Sequence, residues 1–202
     1  MKAFHSLLLL AASLTLGWTV PAFAEPSDIH LKIESGTLSA PLIAGESTYP
    51  GHVGEIDIAS FKLGVTQKGL LSAGTTGAGA GKSQFTPLTV YKYLDKATPQ
   101  LFVACALGSH YKTATLTISE PSNTGFAASP GRHSGDFFTV VLQDVFVVGV
   151  NQDASSTDSN GNLLETIDLS YLKITWSYTA ADGSVTSGGF DVVHNKKLPA
   201  SP

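Results

Sequence analysis

The chain has 202 residues, 12 Lys+Arg against 16 Asp+Glu, and a formal net charge of −4. Charged residues make up 14%, against roughly 25% in ordinary soluble domains. A mildly acidic chain without a Lys/Arg run has no electrostatic footprint for nucleic acid or an anionic membrane surface. A single cysteine excludes an internal disulfide framework and a multi-cysteine zinc site. The content of Val, Ile, Leu and Phe excludes intrinsic disorder.

The N-terminus reads as an export signal. Lys2 supplies a short positive region, Leu7 to Val20 an apolar stretch, and Ala22-Phe23-Ala24 a small-x-small cleavage site. The apolar stretch falls short of the about 20 residues that cross a bilayer. Cleavage after Ala24 leaves residues 25–202 as one domain, removes one cation and no acid, and places the product in the periplasm or outside the cell. Cys105, flanked by Leu101-Phe102-Val103-Ala104 and Ala106-Leu107, then reads as a buried, inert thiol.

Along the remaining chain the pattern is mainly β. Ile29-His30-Leu31-Lys32-Ile33 alternates apolar and polar, as a half-buried strand does. A Gly/Pro/Ser-rich connection runs from Ser35 to Gly51. Ile56, Ile58, Phe61, Leu63 and Val65 mark the next strand, whose phase slips between Ile58 and Phe61 as at a β-bulge. Gln84 to Leu94 reads as a strand. Thr98-Pro99 reads as an N-cap hydroxyl with proline behind it, and Gly108 as the helix stop. Because the intervening segment is apolar nearly all round, a buried helix is expected.

Thr113 to Ser119 alternates again, and Phe137 to Val150 is apolar on both faces, like a central strand. Between Leu164 and Tyr178 the apolar phase switches after Tyr171, predicting a bulged strand. Ala181-Asp182-Gly183 signals a hairpin turn leading into Ser184 to Val193. Seven or eight strands and one helix imply a compact β-barrel or two-sheet sandwich.

Chemical motifs come close and fail. Thr76 to Ser83 resembles a phosphate-binding loop but lacks its first glycine, and Gln84-Phe85-Thr86-Pro87 does not continue as a helix. Asp158 to Asn162 resembles a calcium loop, yet alignment on Gly161 puts Ile167 where a bidentate Glu is required. Gly131-Arg132-His133-Ser134-Gly135 departs from a nucleophile elbow at Arg132. His30, His52, His110, His133 and His194 show no metal-binding spacing. The expectation is no catalytic residue, no cofactor and no metal.

A larger pattern is recognisable. Glu55-Ile56-Asp57-Ile58, Phe61-x-x-Gly64-x-x-Gln67, a Gly-rich loop ending Gly81-Lys82, and Tyr91-x-Tyr93-x-Asp95-Lys96-x-Thr98-Pro99-x-Leu101 follow in order. Then come Ala104-Cys105, Gly108-x-His110-Tyr111, Ala114-x-Leu116-x-Ile118, Leu164-Glu165, and Gly189-Phe190-Asp191-x-x-x-Asn195-Lys196. The mature chain thus resembles the haemolysin-coregulated protein (Hcp) family, whose members are tube subunits of type VI secretion systems.

The resemblance implies a phage tail-tube-like β-barrel with a flanking helix and no enzymatic activity. It implies homohexameric rings that stack into a tube, with effectors in the lumen or a secretion-system spike protein as partners. It assigns Lys68 to Lys82 to contact between rings, with Gly69, Gly74, Gly77, Gly79 and Gly81 letting backbones approach and Leu70 and Leu71 giving apolar contact. The export signal departs from that pattern, because tube subunits are loaded from the cytoplasm. Three readings follow: an exported ring-forming protein, an exported monomeric binding module on the same fold, or a tube protein that keeps its N-terminus.

Overall fold

The computed structural model describes residues 28–36, 40–67, 83–119, 135–159 and 161–199. The export signal, the Lys68 to Lys82 loop, and residues 131–134 of the elbow-like motif lie outside the described residues.

Among the described residues, twelve strands and one helix follow in chain order: β1 (Asp28–Ser35), β2 (Ile56–Asp57), β3 (Ser60–Lys62), β4 (Val65–Gln67), β5 (Ser83–Phe85), β6 (Leu88–Tyr93), α1 (Thr98–Leu107), β7 (His110–Ser119), β8 (Asp136–Thr157), β9 (Leu163–Ser170), β10 (Lys173–Thr179), β11 (Val185–Asp191) and β12 (Lys196–Lys197). One ladder runs β12-β11-β10-β8-β7-β1-β2, and β8 continues through β9 and β6 to β3. All these pairings are antiparallel.

The 22-residue β8 joins the two layers. Its first half pairs with β7 and β10, its second half with β9. It turns at Asp144, which takes a left-handed φ of 56°, a conformation that Asp tolerates better than most residues. A bulge between Val147 and Gly149 completes the turn. A side chain at 149 would press on the Asp168 carboxylate, so glycine fits there.

No closed barrel is found among the described residues, which corrects that part of the expectation. The expected strand over 56–65 is three short ones. β2 pairs with β1 and β3 with β6, so the chain changes layer at Ile58 and Ala59. Only single backbone bonds, Ile58 N–H to Ile29 O and Ala59 N–H to Tyr91 O, cross that step. The expected strand over 84–94 is likewise cut at Thr86-Pro87, and β5 pairs with β4 in a separate two-stranded ladder. The phase switch after Tyr171 is a corner between β9 and β10, not a bulge within one strand. The hairpin at 180–184 forms as read, with Ala180 N–H donating to Ser184 O and Gly183 at φ 83°.

Alternation fills the space between the layers. Leu31 and Ile33 of β1, Leu88 and Val90 of β6, Ala114 and Leu116 of β7, Val140 and Leu142 of β8, Ile167 and Leu169 of β9, and Ile174 of β10 are buried together. Each contributes about 1.5–3 kcal/mol when fully withdrawn from water, the small Ala114 less. The helix adds only Leu101 and Ala104 from its apolar length, with Thr98. Phe102, Val103 and Leu107 are exposed, so the expected burial of α1 holds for one face alone. Cys105 packs partly buried against the core.

The connection from Ala40 to Glu55 lies over the outer face of β1. Gly45 N–H donates to Gly54 O, Ser47 N–H to Glu55 O, and Gly54 N–H to Ser47 O. A side chain at 45 would collide with the backbone of Glu55 and Ile56. Gly45→Ala is therefore expected to cost about 3 kcal/mol, the upper range for overpacking, because backbone must move. Urea denaturation checks this; a loss under about 0.5 kcal/mol, the scale of a neutral surface change, contradicts it.

Candidate functional site

The polar residues singled out by sequence gather in two buried clusters. The first sits at the entry to α1. The inward phase of β6 runs Leu88, Val90, Lys92, so a lysine occupies a core position. Its side chain is 1% exposed and Glu165, its cross-strand partner on β9, is 0%. Lys92 Nζ donates to Glu165 Oε1 at 2.8 Å, to Asp95 Oδ1 at 2.7 Å and to Tyr93 O at 2.7 Å. Those three bonds use all three ammonium protons.

Glu165 is equally well occupied. Thr98 Oγ1 donates to Oε1 at 2.6 Å and Gln152 Nε2 to Oε2 at 2.9 Å. The Thr98 hydroxyl accepts from Asp95 N–H, while Asp95 Oδ1 accepts from Ala97 N–H. Thr98 is thus not the N-cap that sequence suggested: the cap position is Ala97, and the hydroxyl fastens the helix start to Glu165. Gly108, at φ 60°, ends the helix as expected. Lys92 Nζ and both Glu165 oxygens are thus engaged within the fold.

The second cluster joins residues far apart in sequence. His30 on β1 and His52 on the connection are 3% and 5% exposed, with rings stacked at 4.4 Å and 11°. His52 Nδ1 bonds Glu55 Oε2 at 2.9 Å and Nε2 bonds Asp136 Oδ1 at 3.1 Å. Ionised carboxylates only accept, so both nitrogens donate and His52 is an imidazolium. Burial acts to lower its pKa, but the hydrogen bonds it donates to Asp136 and Glu55 outweigh it and hold the value above that of an ordinary imidazole.

His30 is the opposite case. Its Nδ1 lies 3.1 Å from Asp57 Oδ1 and 3.4 Å from Ser47 Oγ, so the ring proton is on Nδ1. Its Nε2 is buried and has no hydrogen-bond partner among the described residues. Burial, then the charge on His52, push its pKa down, against the pull of Asp57.

Neither histidine forms a nucleophilic triad. Ser47 and Asp57 meet the same nitrogen of His30, whereas a triad needs them on opposite nitrogens. Ser119 Oγ donates at 2.6 Å to Asp136, not to His52. Among the described residues no group of His, Cys, Asp and Glu could hold a metal ion. The calcium-like stretch is a turn, in which Asp158 accepts from Asn162 N–H at 2.9 Å and Gly161 takes φ 82°.

The other motif positions are also spent on the fold. Tyr111 OH donates to Pro41 O at 3.1 Å, pinning the connection. His110 Nε2 lies 3.4 Å from Asp144 at the turn of β8, its ring against Phe146. Gly64 exchanges bonds with Thr86 at the base of the β4–β5 ladder. Phe61 lines an apolar hollow with Phe85, Phe138, Tyr171 and Trp176. Lys96 and Pro99 are exposed at the helix start. The loop positions Lys68 to Lys82 lie outside the described residues. Sequence reasoning missed Lys92 and the His30–His52 stack; the inward phase of β6 is the signal that finds the former.

The described residues form a mainly β protein in which two buried polar clusters join elements of the fold and α1 leaves apolar side chains outside. The chain belongs to the Hcp family: the family described as "Type VI secretion system effector, Hcp" matches residues 30–178. It is 30% identical over 146 residues to "Protein hcp1" of Pseudomonas aeruginosa, spanning 72% of this chain and 85% of that protein. It is similar to the crystal structure of Hcp1 from Salmonella typhimurium, with TM-score 0.65, 27% identity, and coverage of 86% of this chain and 99% of that one. A solved structure of a type six secretion system protein is similar too, with TM-score 0.67, 25% identity, and coverage of 85% and 99%. No helix among the described residues is long and apolar enough to cross a membrane.

The charge on His52 is testable. Its raised pKa contributes stability that is complete below the ordinary imidazole value and fades as pH rises through the folded value. Nitrogen-15 NMR near neutral pH is expected to show His52 protonated on both nitrogens and His30 neutral with its proton on Nδ1. A neutral His52 contradicts the assignment.

Proposed function

We propose that this chain is an exported, non-enzymatic ring-forming protein of the type VI tube kind, secreted or periplasmic after cleavage behind Ala24. The observation that carries the reading is the family match across residues 30–178. Its partners are copies of itself in homohexameric rings, with effectors in the lumen or a secretion-system spike protein as further candidates. Lys68 to Lys82 is the proposed contact between rings. It springs from the β4–β5 ladder, which stands apart from the main sheet.

Ring closure requires one surface to meet a different surface of the next copy. The exposed Phe102, Val103 and Leu107 on α1 and Val185 on β11 supply apolar area for such contacts. Export favours a second reading, a monomeric binding module on the same fold, because a subunit delivered singly across a membrane does not meet a cytoplasmic assembly platform.

Native mass spectrometry of the protein recovered from the culture supernatant reads both questions together. Hexamers whose chain begins at Glu25 are expected. Deleting Leu70 to Ala80 is expected to leave the hexamers and abolish stacked rings seen by electron microscopy. A strictly monomeric particle at high concentration establishes the binding module instead. A chain still beginning at Met1 rules out cleavage, and tubes unchanged by the deletion refute the role given to the loop.

A further inference from the structure

The stacked pair of histidines sits where several parts of the fold meet. His30 stands on β1, opposite Asp57 of β2 and Thr117 of β7. His52 stands on the 40–55 connection and reaches Asp136 at the start of β8, where Ser119 at the end of β7 also bonds. The connection, β1 and the β7–β8 end therefore meet at two rings 4.4 Å apart.

The pair accommodates one positive charge and not two. His52 has a carboxylate at each nitrogen, so it keeps its charge. Protonating His30 sets a second cation against the first, and parallel imidazolium rings at that separation repel. It also places an N–H on Nε2, which is buried with no acceptor among the described residues and bears the cost of an unmade hydrogen bond.

We propose that the His30–His52 stack is an acid-operated latch: closed while the pair carries one positive charge, and opened when His30 takes up a second, releasing residues 43–58 from β1 and from the start of β8. The inference is independent of whether rings form. All groups facing the pair are consistent with it. Asp57 comes from β2, Glu55, Ser47 and Tyr49 from the connection, Thr117 and Ser119 from β7, and Asp136 from β8. Lys32 on β1, paired with Glu34, lies in the field of Glu55 and adds no acceptor near Nε2.

The sign follows from the two rings. A group whose pKa is lowered in the fold stabilises it above its ordinary value and loses that contribution as pH falls toward the folded value. His30, held down by burial and by His52, thus weakens the fold on acidification while His52 does not. The opened segment is the outermost part of its layer, since the ladder ends β7-β1-β2. Its release bares the edge of β1, and an unpaired edge strand pairs readily with another chain.

Hydrogen exchange on the full chain tests the latch through the amides of Gly45, Ser47, Gly54 and Ile58, all donors in the closed segment. Between about pH 7 and pH 5, after correction for intrinsic rates, protection there is expected to fall about tenfold, the size of one unit of proton linkage. Protection across the β10–β11 ladder is expected to stay constant. His30→Phe keeps an aromatic ring over His52 but takes up no proton, so its protection is expected to be unchanged across the same range. Constant protection in the wild-type segment, or an equal loss in His30→Phe, overturns the latch. If His30→Phe does not fold, nitrogen-15 titration of the wild-type rings decides. Separate proton uptake, with segment 43–58 shifting at the second step, supports the latch; uptake by both rings in one step, or a second step without such shifts, overturns it.

Discussion

The contact between Lys92 and Glu165 ties the β6–β9 layer to the start of the helix. It lies across the β6–β9 ladder with both side chains withdrawn from water. Burying two charges costs several kcal/mol per ion, which their attraction offsets only when geometry and further hydrogen bonds are complete. Here they are. Asp95, Thr98, Gln152 and the Tyr93 carbonyl occupy the remaining positions, and each partner brings in another element. Asp95 and Thr98 set the start of α1, and Gln152 attaches the far half of β8. The pair therefore fixes where the helix begins and how β8 meets β9, both of which an apolar contact of equal volume would leave less defined.

Much of this was legible in the residues. Alternation located β1 and β7, the Ala-Asp-Gly turn located the β10–β11 hairpin, and Gly108 marked the end of α1. Corners were harder, because a phase switch looks the same for a bulge and for a change of layer. Tyr171-Leu172 and Ile58-Ala59 proved to be changes of layer. The helix misled for a different reason: an apolar segment of ten residues buries all its sides only if neighbours exist on all sides, and the fold supplies one. The histidine stack was invisible, since His52 and Asp136 are 84 residues apart and only topology joins them.

Family membership and these clusters agree on one theme. Glu55, Asp57, Asp95, Tyr111 and Glu165 act on the fold itself, through bonds to His52, His30, Lys92 and Pro41, and no described group is arranged to attack a substrate. The surfaces the protein presents include apolar side chains on α1, the β4–β5 ladder, and a connection fastened over β1 at His30 and His52. The latch proposed there would let acid alter one surface while the core is kept.

A double-mutant cycle on Lys92 and Glu165 tests the central claim, that a completed buried ion pair organises the fold. Lys92→Met and Glu165→Leu are each expected to cost about 3–5 kcal/mol in chemical denaturation, since each strands a buried charge. The double variant, with both charges gone, is expected to lose far less than the sum of the two. Two single losses that are small, or that simply add in the double variant, would contradict the account.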